Sequence, residues 1–394
     1  MIALQIIFWF SLGLIMYSYL MYPLILRLLV GKKDSSYQEY PSSEFPFISI
    51  LMAAYNEEKV IARKLHSILD SNYPTNKVEI LVGSDASSDL TNDILQEFKE
   101  KYDSLKLFLH EERQGKPGII NELAEIAVGE ILLVSDADVM LDRETLRELA
   151  RKFKDERTGL VDSRLVNTSG DGHGISRQEK FYISREVNIK HREGLIWGAM
   201  MGPFGGCYAV RKSLFRKVPD RFLVDDFYIN MKVLEQGFHS ISNLKALAYE
   251  HASSDPKEEF RRKKRISAGN FQNLAHFWPM LFNARKGIAF CFFSHKVIRW
   301  FVPFLGLLTL SLSLLAGMYA EIGSKFYLGL GMIQLLMLVS PVIDHFLRII
   351  KIQIIPLRFV SHFVMMNLAL LAGFFRYLGG IKKNVWKPTS RNQD

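Results

Sequence analysis

Ser135-Asp136-Ala137-Asp138 closes the apolar run Ile131-Leu132-Leu133-Val134. Four aliphatic residues ahead of a polar cluster read as a buried strand. The strand's C-terminal end then carries two carboxylates two residues apart. Carboxylate oxygens suit Mg²⁺ or Mn²⁺, and Mg²⁺ sites commonly combine one or two carboxylates with substrate phosphates. Ligands of open α/β sheets collect outside the carboxyl ends of the strands. An Asp-x-Asp is also ordinary turn and helix-cap chemistry, so its meaning depends on what else reaches the same edge.

Outward from this stretch the pattern alternates. Ile48-Ser49-Ile50-Leu51-Met52, Val78-Glu79-Ile80-Leu81-Val82 and Leu105 to Leu109 read as strands. Glu57 to Leu69, Thr91 to about Lys101 and Pro117 to Val128 read as the helices between them. Strands alternating with helices of this length predict a parallel sheet with helices on both faces. Right-handed crossovers then bring the strand ends to one edge. Three polar clusters fall there: Ala54-Tyr55-Asn56-Glu57, Ser84-Asp85-Ala86-Ser87-Ser88-Asp89, and the Asp136 cluster. No Gly-x-Gly-x-x-Gly follows the first strand and no Gly-Lys-Ser/Thr loop occurs, which argues against a dinucleotide oxidoreductase and a P-loop enzyme. Farther on, Arg177 to His191 reads as a helix. It is followed by Gly202-Pro203-Phe204-Gly205-Gly206-Cys207-Tyr208, whose glycines fit either a close backbone approach to a ligand or a tight turn. Val224-Asp225-Asp226-Phe227 opens a helix to about Gln236, and Glu259-Phe260-Arg261-Arg262-Lys263-Lys264-Arg265 is a basic run. A solvated face, a nucleic-acid patch and a pyrophosphate clamp all fit that run, the last because Arg offers phosphate bidentate donors.

The chain has 394 residues, 48 % of them hydrophobic, which excludes global disorder. The net charge of +9 accompanies long apolar segments, so it points to anionic lipid headgroups. With Cys207 and Cys291 the only cysteines, no disulfide framework is expected and a reducing compartment is. Ile2 to Val30 contains one formal charge, Arg27, and is long enough to span a bilayer. It lacks a basic n-region and is too long for a signal peptide. Lys32 and Lys33 put the next segment in the cytoplasm. Trp300 to Ala320, Phe326 to Leu347 and Leu357 to Leu378 are further candidate spans. The third conflicts with the positive-inside tendency, because Lys382, Lys383, Lys387 and Arg391 come after it; a re-entrant or interfacial segment is the alternative to an exceptional tail. Ile288 to Val297 reads as a helix lying in the interface, or else in the core.

These motifs resemble the membrane-integrated glycosyltransferases of family two, which include cellulose, hyaluronan and poly-N-acetylglucosamine synthases. The resemblance covers roughly Pro46 to Asn273 and the flanking membrane layout. It implies an α/β, GT-A-like Rossmann-type nucleotide-sugar domain with N- and C-terminal transmembrane helices. Ala53-Ala54-Tyr55-Asn56-Glu57 looks like the first-strand nucleotide motif, which makes Ala54, Tyr55 and Glu57 substrate-binding. Ser84-Asp85-Ala86-Ser87-Ser88-Asp89-Leu90-Thr91 looks like the Asp-Asp-Gly-Ser-x-Asp-x-Thr segment with Ser84 in place of the first Asp, so Asp85 would contact the base or ribose. Gly115-Lys116-Pro117 resembles the Gly-Lys motif, and Lys116 would face the diphosphate. Asp136 would approach the ribose or uracil and Asp138 the metal. Gly205 and Gly206 fall where the family shapes its acceptor site. Asp225 and Asp226 match the Thr/Glu-Asp motif, with Asp226 the catalytic base. Arg262-Lys263-Lys264-Arg265-Ile266 aligns with Gln/Arg-x-x-Arg-Trp, so Arg262 and Arg265 would bind the diphosphate. Ile266 replaces the Trp near the acceptor, a departure that weighs against processive polymer synthesis.

The resemblance implies an inverting, metal-dependent transferase that takes Mg²⁺ or Mn²⁺ and a UDP-linked sugar. It would build a cell-surface polysaccharide or glycolipid on a saccharide or lipid acceptor. Transfer of one sugar to a polyprenyl phosphate or ceramide-like lipid, and a catalytically silent membrane scaffold, are the competing readings. The expected layout is a transmembrane helix over 1–31, a cytoplasmic domain over 44–283, an interfacial helix over 284–299, C-terminal transmembrane helices over 300–380 and a basic tail over 381–394. The expected place is the plasma or inner membrane, multi-pass. The sequence leaves open whether the three short C-terminal segments form a channel alone or with a membrane partner for export. No nucleic-acid partner is expected, and His173 and His251 are assigned no role.

Overall fold

A computed structural model of the chain describes residues 2–31, 44–168, 176–250, 256–283, 287–319 and 323–381. Lys32, Lys33, His173, His251, Arg285, Lys286 and the basic tail from Lys382 lie outside the described residues. The first apolar segment is one helical run, α1 (Ile2–Met16) and α2 (Tyr22–Val30) joined by a π-helical turn at Tyr17–Met21.

The α/β domain opens with β1 (Ile48–Ala54), α3 (Ile61–Leu69), β2 (Val78–Asp85), α4 (Thr91–Lys101), β3 (Leu105–His110), α5 (Lys116–Ile126) and β4 (Ile131–Ser135). β1 lies between β2 and β4, and β2 pairs β3, all in parallel, with Ile48 opposite both Val78 and Ile131. Residues alternate across the sheet as the pleat requires. Leu51, Leu81 and Leu132 face α5, and Ile50, Ile80 and Leu133 face α3 and α4. Each helix presents an apolar stripe at i, i+4, i+7: Ile61, Leu65 and Ile68 in α3, and Thr91, Leu95 and Phe98 in α4.

The second half departs from an all-parallel sheet. It adds β5 (Met140–Leu141), α6 (Thr145–Lys152), β6 (Thr158–Asn167), α7 (Ser176–Trp197), β7 (Cys207–Arg211), α8 (Asp225–Glu235) and β8 (His239–Glu250). The eight strands run in the order β3-β2-β1-β4-β7-β6-β8-β5, with β7 antiparallel to β4 and β6, and β5 antiparallel to β8. The cause is local. The chain returns from α7 at the carboxyl edge of the sheet and enters β7 at Cys207, opposite Ser135 where β4 ends. An antiparallel neighbour is the outcome, and the glycine segment before β7 is set beside the Asp136 turn.

The remaining helices are α9 (Pro256–Phe277), α10 (Ile288–Cys291), α11 (Ile298–Tyr319), α12 (Ser324–Ile349) and α13 (Ile355–Leu378). Among the described residues four helical runs, Ile2–Val30, Ile288–Tyr319, Ser324–Ile349 and Ile355–Leu378, are long and apolar enough to cross a membrane. The separate interfacial helix expected over 284–299 is replaced by α10 and a π-helical turn (Phe292–Val297) that run on into α11. Its polar residues explain the difference, because they are buried against α7. His295 bonds Glu193 through Nδ1 at 2.7 Å and Glu186 through Nε2 at 2.9 Å, and Arg299 pairs with Glu186. Tyr22 donates to the same Glu193 at 2.7 Å, and that carboxylate also accepts the Met201 N–H at 3.0 Å. One buried network therefore ties the first helix, α7 and α11 to the segment that leads into the glycines.

Breaking a buried ion pair by removing one partner typically costs about 3–5 kcal/mol. Arg299→Met is expected to destabilise the detergent-solubilised chain by an amount in that range, read by denaturant unfolding, and Arg299→Met/Glu186→Met to recover part of the loss. An Arg299→Met chain as stable as the parent would show that the network contributes nothing to stability.

Candidate active site

The first two strand-end loops are laced together. Asn56 (φ 54°) and Ala86 (φ 57°) adopt left-handed backbone, a conformation that Asn tolerates better than most residues. The Asn56 side chain accepts the Ser88 N–H at 2.8 Å, the Glu57 N–H donates to Thr91 Oγ1 at 2.8 Å, and the Glu58 N–H donates to Asp89 at 3.1 Å. Ala54, at the end of β1, is buried. Asp85 is wholly buried and accepts three hydrogen bonds: from the Gln114 N–H at 2.6 Å, Arg113 Nε at 2.9 Å and the Gly115 N–H at 3.1 Å. Its oxygens brace the loop that carries Lys116. The groups it leaves at the mouth of this corner are Tyr55 and Arg113, whose guanidinium stacks 3.2 Å above the Tyr55 ring.

Lys116 begins α5, directly after Gly115 (φ 82°). Its ammonium donates to Asp136 Oδ1 at 2.6 Å and to the Gly205 carbonyl at 3.4 Å, and stands 4.0 Å from Asp225 Oδ2. Burial alone would lower the lysine pKa. The carboxylates of Asp136, Asp225 and Asp226 outweigh burial and raise it above its ordinary value. Asp226 moves the other way for an acid. Burial first, and the adjacent Asp225 second, push it up to about 6 against the pull of Lys116. It sits in the first turn of α8, where Oδ1 accepts the Phe227 N–H at 2.6 Å. Arg265 of α9 faces the same cluster. Burial lowers its pKa, opposed by Asp225, Asp136 and Asp226, and it donates to the Leu223 carbonyl at 3.4 Å. Arg262 is held to Glu259 of its own helix at 3.0 Å.

Gly205 (φ 84°) shows why the segment before β7 is glycine-rich: a Cβ there would overlap Asp226 Oδ2. Close approach and left-handed backbone, alternatives in the sequence, are both present. Gly206 carries its carbonyl to the Asp136 N–H at 3.0 Å, which fastens the glycines to the Asp-x-Asp turn. The structure thus brings Lys116, Asp136, Gly205, Gly206, Asp225, Asp226 and Arg265 together, with Asp138 in the same turn as Asp136. It leaves Ala54, Glu57, Asp85 and Arg262 in supporting positions.

Two further groups carry no sequence signal. Lys64 looks like a surface lysine of an amphipathic helix, yet it is fully buried. Its ammonium bonds Ser135 Oγ at 2.7 Å and the Val139 carbonyl, one on each side of the Asp136–Asp138 turn, and burial lowers its pKa to about 8. Asp162, in the middle of β6, accepts the Phe204 N–H at 3.2 Å through Oδ2; burial raises it to about 7. Its Oδ1 has no hydrogen-bond partner among the described residues, and neither does Asp225 Oδ2.

Among the described residues no three His, Cys, Asp or Glu side chains gather as a ready metal cage. The donors present are the paired carboxylates of the Asp136–Asp138 turn, with the buried and hydrogen-bond-free Asp225 Oδ2 nearby. Hard oxygen donors in this small number fit a divalent cation that takes its remaining ligands from phosphates and water.

Residues 49–219 match the family model described as glycosyl transferase family 2. The chain is 28 % identical over 284 residues to a probable glycosyltransferase, YdaM, of Bacillus subtilis, covering 67 % of this chain and 65 % of that protein. It is 24 % identical over 263 residues to a beta-monoglucosyldiacylglycerol synthase of Trichormus variabilis, covering 66 % of this chain and 56 % of that protein. The chain therefore spans under two thirds of the length of these curated relatives. Among solved structures, a mannosyltransferase of Pyrobaculum calidifontis, held in complex with GDP-Man and Mn²⁺, superposes with TM-score 0.68 at 20 % identity. The superposition covers 95 % of this chain and 99 % of that one. The domain has that GT-A-like α/β fold.

The Gly205–Asp226 contact yields a direct test. Gly205→Ala is expected to lower stability by roughly 1–3 kcal/mol through overpacking and a strained φ. In Gly205→Ala/Asp226→Ala the carboxylate is gone, and the double-mutant cycle should show a coupling energy of that order. Additive effects in denaturant titrations would contradict the contact.

Proposed function

We propose that this chain is an inverting glycosyltransferase that moves a sugar from a UDP-linked donor to a hydroxyl of a membrane-bound acceptor. The product is a glycolipid or a lipid-anchored precursor of a cell-surface polysaccharide. The observation that carries the reading is the juxtaposition of a half-buried carboxylate, Asp226, with a cation, Lys116, that is itself bound to the Asp136 turn. A base and an anion site side by side are what a single displacement on a nucleotide-sugar requires. The acceptor oxygen attacks the anomeric carbon, the bond from that carbon to the diphosphate oxygen breaks, and the acceptor proton passes to a carboxylate oxygen of Asp226. Its pKa near 6 leaves it ionised at neutral pH yet basic enough to take the proton. Lys116 and Arg265 stabilise the charge that builds on the leaving diphosphate. A bound divalent cation, held by Asp138 and Asp136, would supply Lewis-acid neutralisation of the same charge. Tyr55 with its stacked Arg113 offers a flat surface for a base, at the end of β1.

The relative's name, a synthase of glucosyldiacylglycerol, and the Ile266 replacement both favour one transfer to a lipid over processive extension. A membrane partner for export is then unnecessary. The lysines and arginines around the apolar segments support a plasma-membrane location with the domain on the cytoplasmic face.

Asp226→Asn is expected to abolish transfer from labelled nucleotide-sugar while nucleotide binding persists; retained transfer by the purified variant would remove Asp226 from the mechanism. In the parent, kcat/KM should fall on the acid side with an apparent pKa near 6. The raised folded pKa also means that the native state holds this proton longer than the unfolded chain, so stability falls as pH rises from about 4 to about 6. Asp226→Asn removes that loss and should be the more stable protein at pH 7, by on the order of 1–3 kcal/mol.

A further inference from the structure

A polar cavity lies among the C-terminal helices. Glu259 of α9, Asp344, His345 and Arg348 of α12, and Arg358 and His362 of α13 line it, and its volume is about 160 Å³. Ionisable groups on apolar, membrane-spanning helices are costly, and where they occur they mark sites that hold a partner. None of these six residues takes part in the transfer reaction proposed above. Glu259 places the cavity where the α/β domain meets the membrane helices, because α9 also carries Arg265 to the catalytic cluster.

The charges around this cavity do not balance. Asp344 pairs with Arg348 of its own helix, and its Oδ1 stands 3.7 Å from Arg358 Nε. Glu259 is held by Arg262 at 3.0 Å and by Lys263 at 3.2 Å. The pairs among the described residues thus give each of the two buried carboxylates two cations. Donors are left over as well. Nε of Arg348 and Nε of Arg358 are buried, and neither has a hydrogen-bond partner among the described residues. A buried donor without an acceptor is costly, most of all on a charged group. What the cavity lacks is an anion with several acceptor oxygens. Phosphate fits that description, since guanidinium forks match its oxygens and imidazole N–H groups add further donors. The volume admits a phosphate and a few waters, at about 30 Å³ for each water.

The neighbouring side chains identify the source of the phosphate. Phe346, Ile349, Ile350, Ile354 and Ile355 flank Arg348 and Arg358 at the end of α12 and the start of α13, and all five are exposed. A free anion would leave them bare, whereas a lipid covers them with acyl chains while its headgroup enters the cavity. The Arg348 side chain is 35 % exposed, so a headgroup has a way in beside it. Arg348, Lys351 and Arg358 favour the cytoplasmic side for this turn, and basic pockets between helices on that side suit anionic headgroups. We propose that the cavity between α9, α12 and α13 binds the phosphate of an anionic phospholipid, with Arg348 and Arg358 as its main contacts. The lipid is neither donor nor acceptor of the sugar. It fixes the helix that carries Arg265 against α12 and α13.

The test follows the thermal midpoint of the purified full chain in a neutral detergent as dioctanoyl phosphatidylglycerol is added, a readout that needs no sugar transfer. A saturable rise is expected. Dioctanoyl phosphatidylcholine, whose phosphate is offset by choline, and inorganic phosphate should each need about tenfold more for the same rise. Arg348→Gln/Arg358→Gln is expected to raise the half-saturating concentration of phosphatidylglycerol about tenfold or more, the loss that goes with hydrogen bonds to a charged group. Should that variant not fold, Asp344→Asn keeps both arginines and removes the carboxylate that competes for them, so its half-saturating concentration should fall. A half-saturation unchanged in the arginine variant, or not lowered in Asp344→Asn, would overturn the proposal. An equal response to phosphatidylcholine would overturn the preference for an anionic lipid, and an equal response to inorganic phosphate would make this a site for a free anion and overturn the lipid.

Discussion

A single ammonium holds the site together. Lys116 Nζ bonds Asp136, reaches the Gly205 carbonyl and faces Asp225, so it touches three segments that are far apart in the chain. Without it, Asp225 and Asp226 would be adjacent carboxylates in a poorly hydrated site beside Asp136, with Lys190 and Arg265 as nearby counter-charges, and like charges so placed tend to protonate rather than coexist. The arrangement stores the polarity that the chemistry needs. The cation compensates carboxylates in the resting protein, and in the proposed reaction it would already be in place for a diphosphate, so that little reorganises when charge moves to the leaving group.

The fold serves this one point. Parallel strands β1, β2 and β4 deliver their polar loops to one edge, and the antiparallel entry of β7 lays the glycine segment against the Asp136 turn. Lys64 fastens that turn from beneath, between Ser135 and Val139. Glu193 connects the edge to the membrane helices by accepting from Met201 on one oxygen and from Tyr22 on the other. Motion of the helices relative to the domain would thus be felt four residues before Gly205.

Much of this was legible in the residue pattern, and the limits have physical causes. The strand ends could be read because a run such as Ile131 to Val134 stops at a cluster that cannot be buried. The convergence of Lys116, Asp136, Asp226 and Arg265 followed from motif order. β6, β7 and β8 were not legible, because polar residues interrupt the apolar runs, as Asp162-Ser163-Arg164 do in β6 and Ser242-Asn243 in β8, and β7 is only five residues long. Lys64 and Asp162 were missed since each sits at an ordinary position of an amphipathic element, and only tertiary contact makes it a buried charge. The hydrogen bonds by which Asp85 braces the Arg113–Gly115 loop also have no signal in the sequence. Apolar length by itself does not distinguish a helix that crosses a bilayer from one that lies within it.

The proposed function requires the Lys116 ammonium to form the anion side of a diphosphate pocket. Thermal unfolding of the purified chain with UDP and Mg²⁺ or Mn²⁺ measures this, because a ligand that binds only the native state raises the midpoint. A clear rise is expected for the parent and none for Lys116→Met. An equal rise in both proteins would contradict the role given to Lys116.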